Sequence, residues 1–296
     1  MKIGFIGAGF MGQHMIRNLI KHGNSLTVFD INKSALNIAK NDGAKIAKTP
    51  KELAQKNEVI FTSLPTPQIL DEVTFGEAGI LEGIKPGTVF FDLSTTSLKM
   101  VHKIGGFANS RNFHFLDAPV SGGVKGAENA SLCIMASGEF QVFKKYESLL
   151  SFIGTQTMYC GELGSGTICK ITNNLIGLSL HVLLGEAYSM GVTAGVSPET
   201  LYDAISISTG DSKQMHTFPK TLFKGDFAPG FQLDLAAKDI GLATELGKSK
   251  NIPMDLSNLV QQKYIEAQNK GFGSESATAV IKIQEEKSKI NIRNKI

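Results

Sequence analysis

Apolar residues in the first half of the chain come in short runs rich in β-branched and aromatic side chains, separated by stretches in which they recur every three or four positions. Runs too short for helices, bounded by Gly, Pro, Asn or Ser, read as strands buried on both faces. They predict strands over 3–6, 26–29, 59–63, 88–92, 113–118, 132–137 and 157–159. The intervening spacing predicts helices over 13–20, 50–57, 97–110 and 141–152, the first with Met15, Ile16, Leu19 and Ile20 on one face. Strands alternating with helices are the pattern of an α/β protein with a doubly wound, mostly parallel sheet.

Beyond Gly161 the strand-like runs stop. Long helical patterns follow, broken at Ser197-Pro198-Glu199, Phe227-Ala228-Pro229-Gly230 and Asn251-Ile252-Pro253. The chain therefore divides into an α/β domain over 1–163 and an all-helical domain over 164–296, joined by a long helix. The most apolar stretch, 168–196, is interrupted by Lys170, Asn173, Asn174, His181 and Glu186. Those residues predict a buried helix and not a membrane span.

The first strand runs into Gly7-Ala8-Gly9-Phe10-Met11-Gly12, and the first helix follows at once. In such a turn the first glycine allows the sharp bend, the second lets backbone N–H groups approach a pyrophosphate, and the third permits close helix-to-strand packing. The helix then directs its positive end at the phosphates. Asp30 ends the second strand, close to the spacing of about 20 residues expected of an acid that grips an adenine ribose. Its charge repels a 2′-phosphate, so NAD is favoured over NADP. Asn32, beside Lys33, flanks the same position and softens that preference.

Composition narrows the partners. Charged residues make up 19% of the chain and the formal net charge is +3, too small and dispersed to argue for nucleic acid or a membrane surface. Only 282–295 is markedly basic, and it reads as a solvated helix end or frayed terminus. Cys133, Cys160 and Cys169 form no Cys-x-x-Cys pair and are odd in number, which suits small buried thiols in a reducing, cytoplasmic compartment. The glycine fingerprint begins at Gly7 and leaves no room ahead of it for an apolar leader, so none is expected. No histidine or carboxylate cluster has ligand spacing, and a metal-independent reaction is expected.

Three later motifs carry candidate chemistry. Asp117-Ala118-Pro119-Val120-Ser121-Gly122-Gly123 leaves a strand for a turn that reads either as ordinary structural turn chemistry or as a cradle of hydroxyl and backbone N–H groups for a carboxylate. Lys170 and Asn174 share one helix face, where an ammonium and a carboxamide can converge on one small ligand, or where a lysine simply snorkels to water. Lys238-Asp239 lies in an amphipathic helical stretch and reads either as a surface ion pair or as part of a site. Phe231, Leu233 and Leu235 lie just ahead of it as candidate apolar lining. His14 and His181 read as a surface and an interior histidine without catalytic roles.

Taken in order, these motifs resemble the β-hydroxyacid dehydrogenase family, especially its 3-hydroxyisobutyrate dehydrogenase and tartronate semialdehyde reductase branch. The resemblance spans 1 to about 245 and rests on Gly7-x-Gly9-x-Met11-Gly12, the Asp117 to Gly123 motif, Gly164-x-Gly166-x-x-x-Lys170-x-x-Asn173-Asn174, and Lys238-Asp239. It implies a Rossmann domain, a helical domain, dimers or tetramers, a nicotinamide cofactor and a short 3-hydroxy acid substrate. It also implies Lys170 as the catalytic acid/base and Asn174, with neighbouring Asn173, as the amide that orients substrate. Ser121, Gly122 and Gly123 take the place of the carboxylate-binding turn. Gly7 to Gly12, Leu64, Pro65 and Thr95 take cofactor positions, and Lys238 is a second lysine beside cofactor and substrate. Phe10, Gln13 and His14 depart from the smaller residues usual there. The family alternatives are reduction of a semialdehyde or glyoxylate, a non-catalytic cofactor-binding protein and an imine-reducing branch; the presence of Lys170, Asn174 and Ser121 argues against the last two.

Overall fold

β-Branched and aromatic side chains that would crowd a helix settle here in a pleated sheet, and the strands they form are buried on both faces. A computed structural model describes residues 1–293. The chain opens with β1 (Lys2–Ile6), α1 (Gly12–Lys21), β2 (Ser25–Phe29), α2 (Lys33–Asn41), β3 (Lys45–Ile46), α3 (Pro50–Lys56) and β4 (Val59–Thr62). It continues through α4 (Pro67–Phe75), β5 (Val89–Asp92), α5 (Leu98–Arg111) and β6 (His114–Asp117). The six strands form one parallel sheet in the order β3-β2-β1-β4-β5-β6. Helices cover both faces, one around Phe5, Met15, Leu19, Phe61 and Phe91 and the other around Leu53, Ile60, Leu70, Phe90 and Ile104.

Register positions the site. Ile6 pairs with Thr62, Thr62 with Asp92 and Asp92 with Asp117, so β1, β4, β5 and β6 end on one line. The segments starting at Gly7, Ser63, Leu93 and Ala118 therefore leave the sheet along its carboxyl edge, where ligands of such sheets bind. Strand order reverses between β1 and β4, which makes the Gly7 turn the switch point of the sheet.

One expectation is corrected. The segments over 132–137 and 157–159 do not extend the main sheet but form β8 (Cys133–Ala136) and β9 (Gln156–Tyr159), paired in a separate three-stranded sheet with β7 (Val120–Ser121). Pro119 has no N–H for a ladder, though its carbonyl accepts the Met135 N–H at 3.0 Å, and the chain reverses between Ser121 and Cys133, so β7 runs antiparallel to β8. α6 (Gly123–Glu128) and α7 (Phe140–Leu150) complete this region. Helices α2 and α4 and the short β3 fall in stretches where the apolar spacing marked no element.

The chain divides into two compact units, Met1–Lys170 and a second from Ile171 onward. The division lies inside the uninterrupted α8 (Ser165–Thr193), beyond the 163/164 boundary expected from the sequence. The second unit is helical, with α9 (Pro198–Ser206), α10 (Leu233–Ser249), α11 (Asp255–Asn269) and α12 (Ile281–Ser288) around Tyr188, Phe218, Leu222, Leu233 and Tyr264.

Helix α8 is not buried all round, as its apolar sequence suggested. Its length and hydropathy meet what a membrane crossing needs, yet only 33% of its most apolar window is buried. Ile176, Leu183 and Met190, one residue in every seven, are 60%, 59% and 72% exposed and form a single apolar stripe. His181 on the same helix is buried, with Nε2 facing Gln214 Oε1 at 3.0 Å, and burial lowers its pKa to about 4, so it is a neutral interior residue. The basic terminus is also not frayed through its described part: Ile292 is fully buried and its N–H donates to Glu285 Oε1 at 2.8 Å. Lys295 lies outside the described residues.

Candidate active site

The turn after β1 is shut from behind by its own backbone. A Cβ on Gly7, whose φ is +97°, would fall 2.3 Å from the Ser63 carbonyl oxygen, and one on Gly12 would fall 1.9 Å from that of Gly7. A Cβ on Gly9 would meet nothing within 4 Å. Met11, the N-cap of α1, makes no side-chain capping bond, so no side chain takes the first N–H groups of that helix. A packed turn with open space at its middle glycine and an uncapped helix start fits a dinucleotide pyrophosphate. Ala8 is buried in this turn, while Phe10 is exposed.

Asp30 is bound to the same turn. Its Oδ2 accepts the Ala8 N–H at 2.6 Å and its Oδ1 the Asn32 N–H at 2.7 Å, leaving lone pairs on both oxygens for ribose hydroxyls. Asn32 itself caps α2: its Oδ1 accepts from the N–H groups of Ser34 and Ala35.

Leu64 and Pro65 follow β4, and half-buried Thr95 follows β5. A residue that the motifs did not single out ties these two segments together. Asp92, fully buried, accepts at Oδ1 from Thr62 Oγ1 (2.7 Å) and Ser94 N–H (3.1 Å), and Ser94 Oγ in turn accepts the Leu64 N–H at 2.9 Å. Its Oδ2 has no hydrogen-bond partner. Burial pushes the Asp92 carboxyl up to about 6, against the pull of its Ser94 and Thr62 bonds.

After β6 the chain passes Ser121 and turns on Gly122 and Gly123, whose φ values of +134° and +64° lie where glycine is favoured. The first residue of this motif has a separate task. Asp117 is buried where α8 begins, and its Oδ2 accepts the Thr167 N–H at 2.7 Å and its Oδ1 the Gly164 N–H at 2.9 Å. Ser137 donates its hydroxyl to the same carboxylate and accepts the Gly166 N–H at 2.9 Å. These bonds satisfy N–H groups that a helix start leaves without partners and set a negative charge against its positive end. The helix that carries Lys170 is thereby fixed to the carboxyl end of β6. Asp117 heads a motif visible in sequence; nothing marked Ser137.

Lys170 and Asn174 both lie on α8 and both are buried, which rules out a lysine snorkelling freely to water. Asn174 belongs to a polar constellation within the helical unit. Its Nδ2 donates to Asp239 Oδ2 at 2.6 Å, and its Oδ1 accepts from Asn173 Nδ2 at 3.0 Å. Asp239 Oδ1 lies 2.9 Å from Lys238 Nζ, with side-chain exposures of 2% and 18%, so this is not a surface ion pair. The sequence pointed to the Lys238-Asp239 dipeptide but not to Asp239 as the carboxylate that holds Asn174. Leu233 is a core residue and lines nothing; Phe231 remains exposed and Leu235 half-buried. Among the described residues no group of three or more His, Cys, Asp or Glu is placed to hold a metal ion.

A parallel sheet with a Gly-x-Gly-x-x-Gly turn at its switch point, followed by a helix presenting a buried lysine and amide, defines an oxidoreductase that uses a nicotinamide dinucleotide. Residues 2–161 match the family model for the NAD binding domain of 6-phosphogluconate dehydrogenase, and residues 164–284 that for the NAD-binding region of NADP-dependent 3-hydroxyisobutyrate dehydrogenase. The chain is 38% identical over 293 residues to the 2-(hydroxymethyl)glutarate dehydrogenase of Eubacterium barkeri, covering 99% of this chain and 97% of that one. Identity to the mitochondrial 3-hydroxyisobutyrate dehydrogenase of Rattus norvegicus is 32%, over 94% of this chain and 85% of that one. The solved structure of Mycobacterium tuberculosis 3-hydroxyisobutyrate dehydrogenase with L-serine superposes with a TM-score of 0.88 at 29% identity, covering 95% of this chain and 98% of that one. The chain belongs to the β-hydroxyacid dehydrogenase family and is an NAD(P)-dependent hydroxyacid dehydrogenase.

Proposed function

We propose that this dehydrogenase oxidises the carbinol of a short-chain 3-hydroxy acid of the 3-hydroxyisobutyrate type, with NAD in preference to NADP. The observation that carries the reading is the buried pair Lys170 and Asn174, with the amide locked by Asp239. Bound NAD supplies the hydride acceptor at its nicotinamide. Ser121, Gly122 and Gly123 anchor the substrate carboxylate, and Lys238 adds positive charge beside it. Asn174 donates its remaining Nδ2 hydrogen to the carbinol oxygen, with Asn173 bracing the amide. Lys170, as a neutral amine, accepts the hydroxyl proton at Nζ; in the reverse direction its ammonium returns it. Orientation supplies much of the rate, because the alcohol is held by both ends.

On the cofactor side, the turn Gly7, Ala8, Gly9, Phe10, Met11 and Gly12 takes the pyrophosphate, Asp30 and Asn32 the adenine ribose, and Leu64, Pro65 and Thr95 the rest of the dinucleotide. The Asp30 carboxylate, already fixed by two backbone N–H groups, supports NAD because a 2′-phosphate would bring like charges together. The apolar stripe of Ile176, Leu183 and Met190 supports assembly into a homodimer or homotetramer, since such a surface gains by being covered. The free thiols fit a reducing, cytoplasmic setting.

Initial rates at the NADH absorbance band, with a panel of short 3-hydroxy acids and semialdehydes and each cofactor, test the proposal. A 3-hydroxyisobutyrate-type acid with NAD is expected to give the highest kcat/KM. Faster reduction of tartronate or succinic semialdehyde, or of glyoxylate, would replace it, and silence across the panel with NAD still bound would leave only cofactor binding.

A further inference from the structure

Cys133, Cys160 and Cys169 are the only cysteines of the chain, and none is buried as the sequence suggested: Cys169 is exposed and the other two half-buried. Two of them meet. Cys160 follows β9, its N–H bonded to the Ala136 carbonyl at 2.7 Å and its Sγ 4.0 Å from the Met158 carbonyl oxygen, and the Cys169 thiol of α8 is its neighbour. The fold brings them together, because Gly161 lies against the first turn of α8, where a Cβ would sit 3.2 Å from Ser165 Oγ. Cys169 is one turn beyond Ser165 on the same helix face. It also directly precedes Lys170.

We propose that Cys160 and Cys169 form a dithiol that peroxide closes to a disulfide, and that closure reversibly lowers turnover by displacing the helical turn carrying Lys170. The effect on turnover rests on the role given to Lys170 above; formation of the disulfide does not.

The two sulfurs have unequal parts. Burial, reinforced by the neighbouring Cys169, pushes the Cys160 thiol up to about 12, so it stays protonated, and the exposed Cys169 reacts first. The Cys169 thiolate attacks hydrogen peroxide, breaking the O–O bond to give a sulfenic acid and hydroxide, which takes up the proton that Cys169 released. The Cys160 sulfur then attacks that of Cys169: the S–S bond forms, the S–O bond breaks, and the Cys160 proton leaves with the departing oxygen as water. Two thiols lose two electrons in all, and one peroxide becomes two waters. Bonded sulfurs are about 2.05 Å apart. Two neighbouring thiols must move together to reach that distance, and a misplacement of about 1 Å at a catalytic group can cost on the order of a hundredfold in rate.

The experiment treats the full-length protein with hydrogen peroxide and follows intact mass, a peptide map and turnover in parallel. The expected result is loss of two hydrogens per chain, a peptide joining Cys160 to Cys169 and Cys133 still open to alkylation. Turnover is expected to fall by about tenfold or more and to return with dithiothreitol. Cys160→Ser and Cys169→Ser are each expected to keep basal turnover and to form no such peptide. Oxidation of Cys169 to the sulfinic acid without a cross-link, or no oxidation, overturns the site. A cross-link that leaves turnover unchanged overturns the coupling. An enzyme silent on the whole substrate panel but still cross-linked would instead count against the proposed reaction.

Discussion

Asn174 Nδ2 donates to Asp239 Oδ2 at 2.6 Å, and because a carboxylate only accepts, this bond decides which way the amide faces. Asp239→Asn puts a second amide opposite the first and removes that constraint, while also taking the counter-charge from Lys238. The expected outcome is a fall in kcat of about 10- to 100-fold with cofactor affinity retained. Steady-state kinetics beside a cofactor titration check it; a kcat within twofold of the parent would show that the amide is held by other means.

Lys170→Ala removes the group assigned to proton transfer. Turnover is expected to drop about 10²- to 10⁴-fold, the range of general acid–base catalysis, with NAD binding almost unchanged. The parent should show a pH dependence of kcat/KM that the variant lacks. Retention of most turnover would reassign the acid/base.

Asp117 acts through structure. Asp117→Ala leaves the N–H groups of Gly164 and Thr167 without their acceptor, and is expected to lower unfolding free energy by about 3 kcal/mol, as the loss of charge-assisted bonds to buried groups does. Urea unfolding measures it. A change below about 0.5 kcal/mol would mean that water or neighbouring groups satisfy the start of α8 equally well.

Asp92 makes stability pH-dependent. Its folded carboxyl holds a proton up to about 6, against an ordinary value of 3.8. Between those values the folded chain binds more protons than the unfolded one, so stability is higher below pH 3.8 and falls as pH rises to about 6. At 1.36 kcal/mol per unit the loss is about 3 kcal/mol. Asp92→Asn keeps an oxygen acceptor for Thr62 and Ser94 but cannot ionise. The difference in stability between variant and parent should therefore move in favour of the variant from pH 4.5 to 7.5. A difference that is flat across that interval would show that Asp92 ionises at its ordinary value.

Among the elements, the legible ones were those whose cause is local. Residues 7–12 could be read because a glycine turn between a strand and a helix is dictated by backbone sterics within six residues, and Lys170 with Asn174 because helical periodicity puts both on one face. Helices α2 and α4 had local signals too, in the capping residues Asn32 and Thr66, but weak apolar spacing hid them. The sequence alone thus determined the strand–helix alternation, the glycine turn, the family and the placing of a lysine and an amide on one helix face. Tertiary structure decided the rest. It paired β8 and β9 with β7 in a second sheet, brought Asp117 to N–H groups about fifty positions downstream, joined Asn174 to Asp239, and left one stripe of an apolar helix uncovered. Side-chain partners of this kind depend on where the folded chain returns. Spacing along the sequence carries no record of that path.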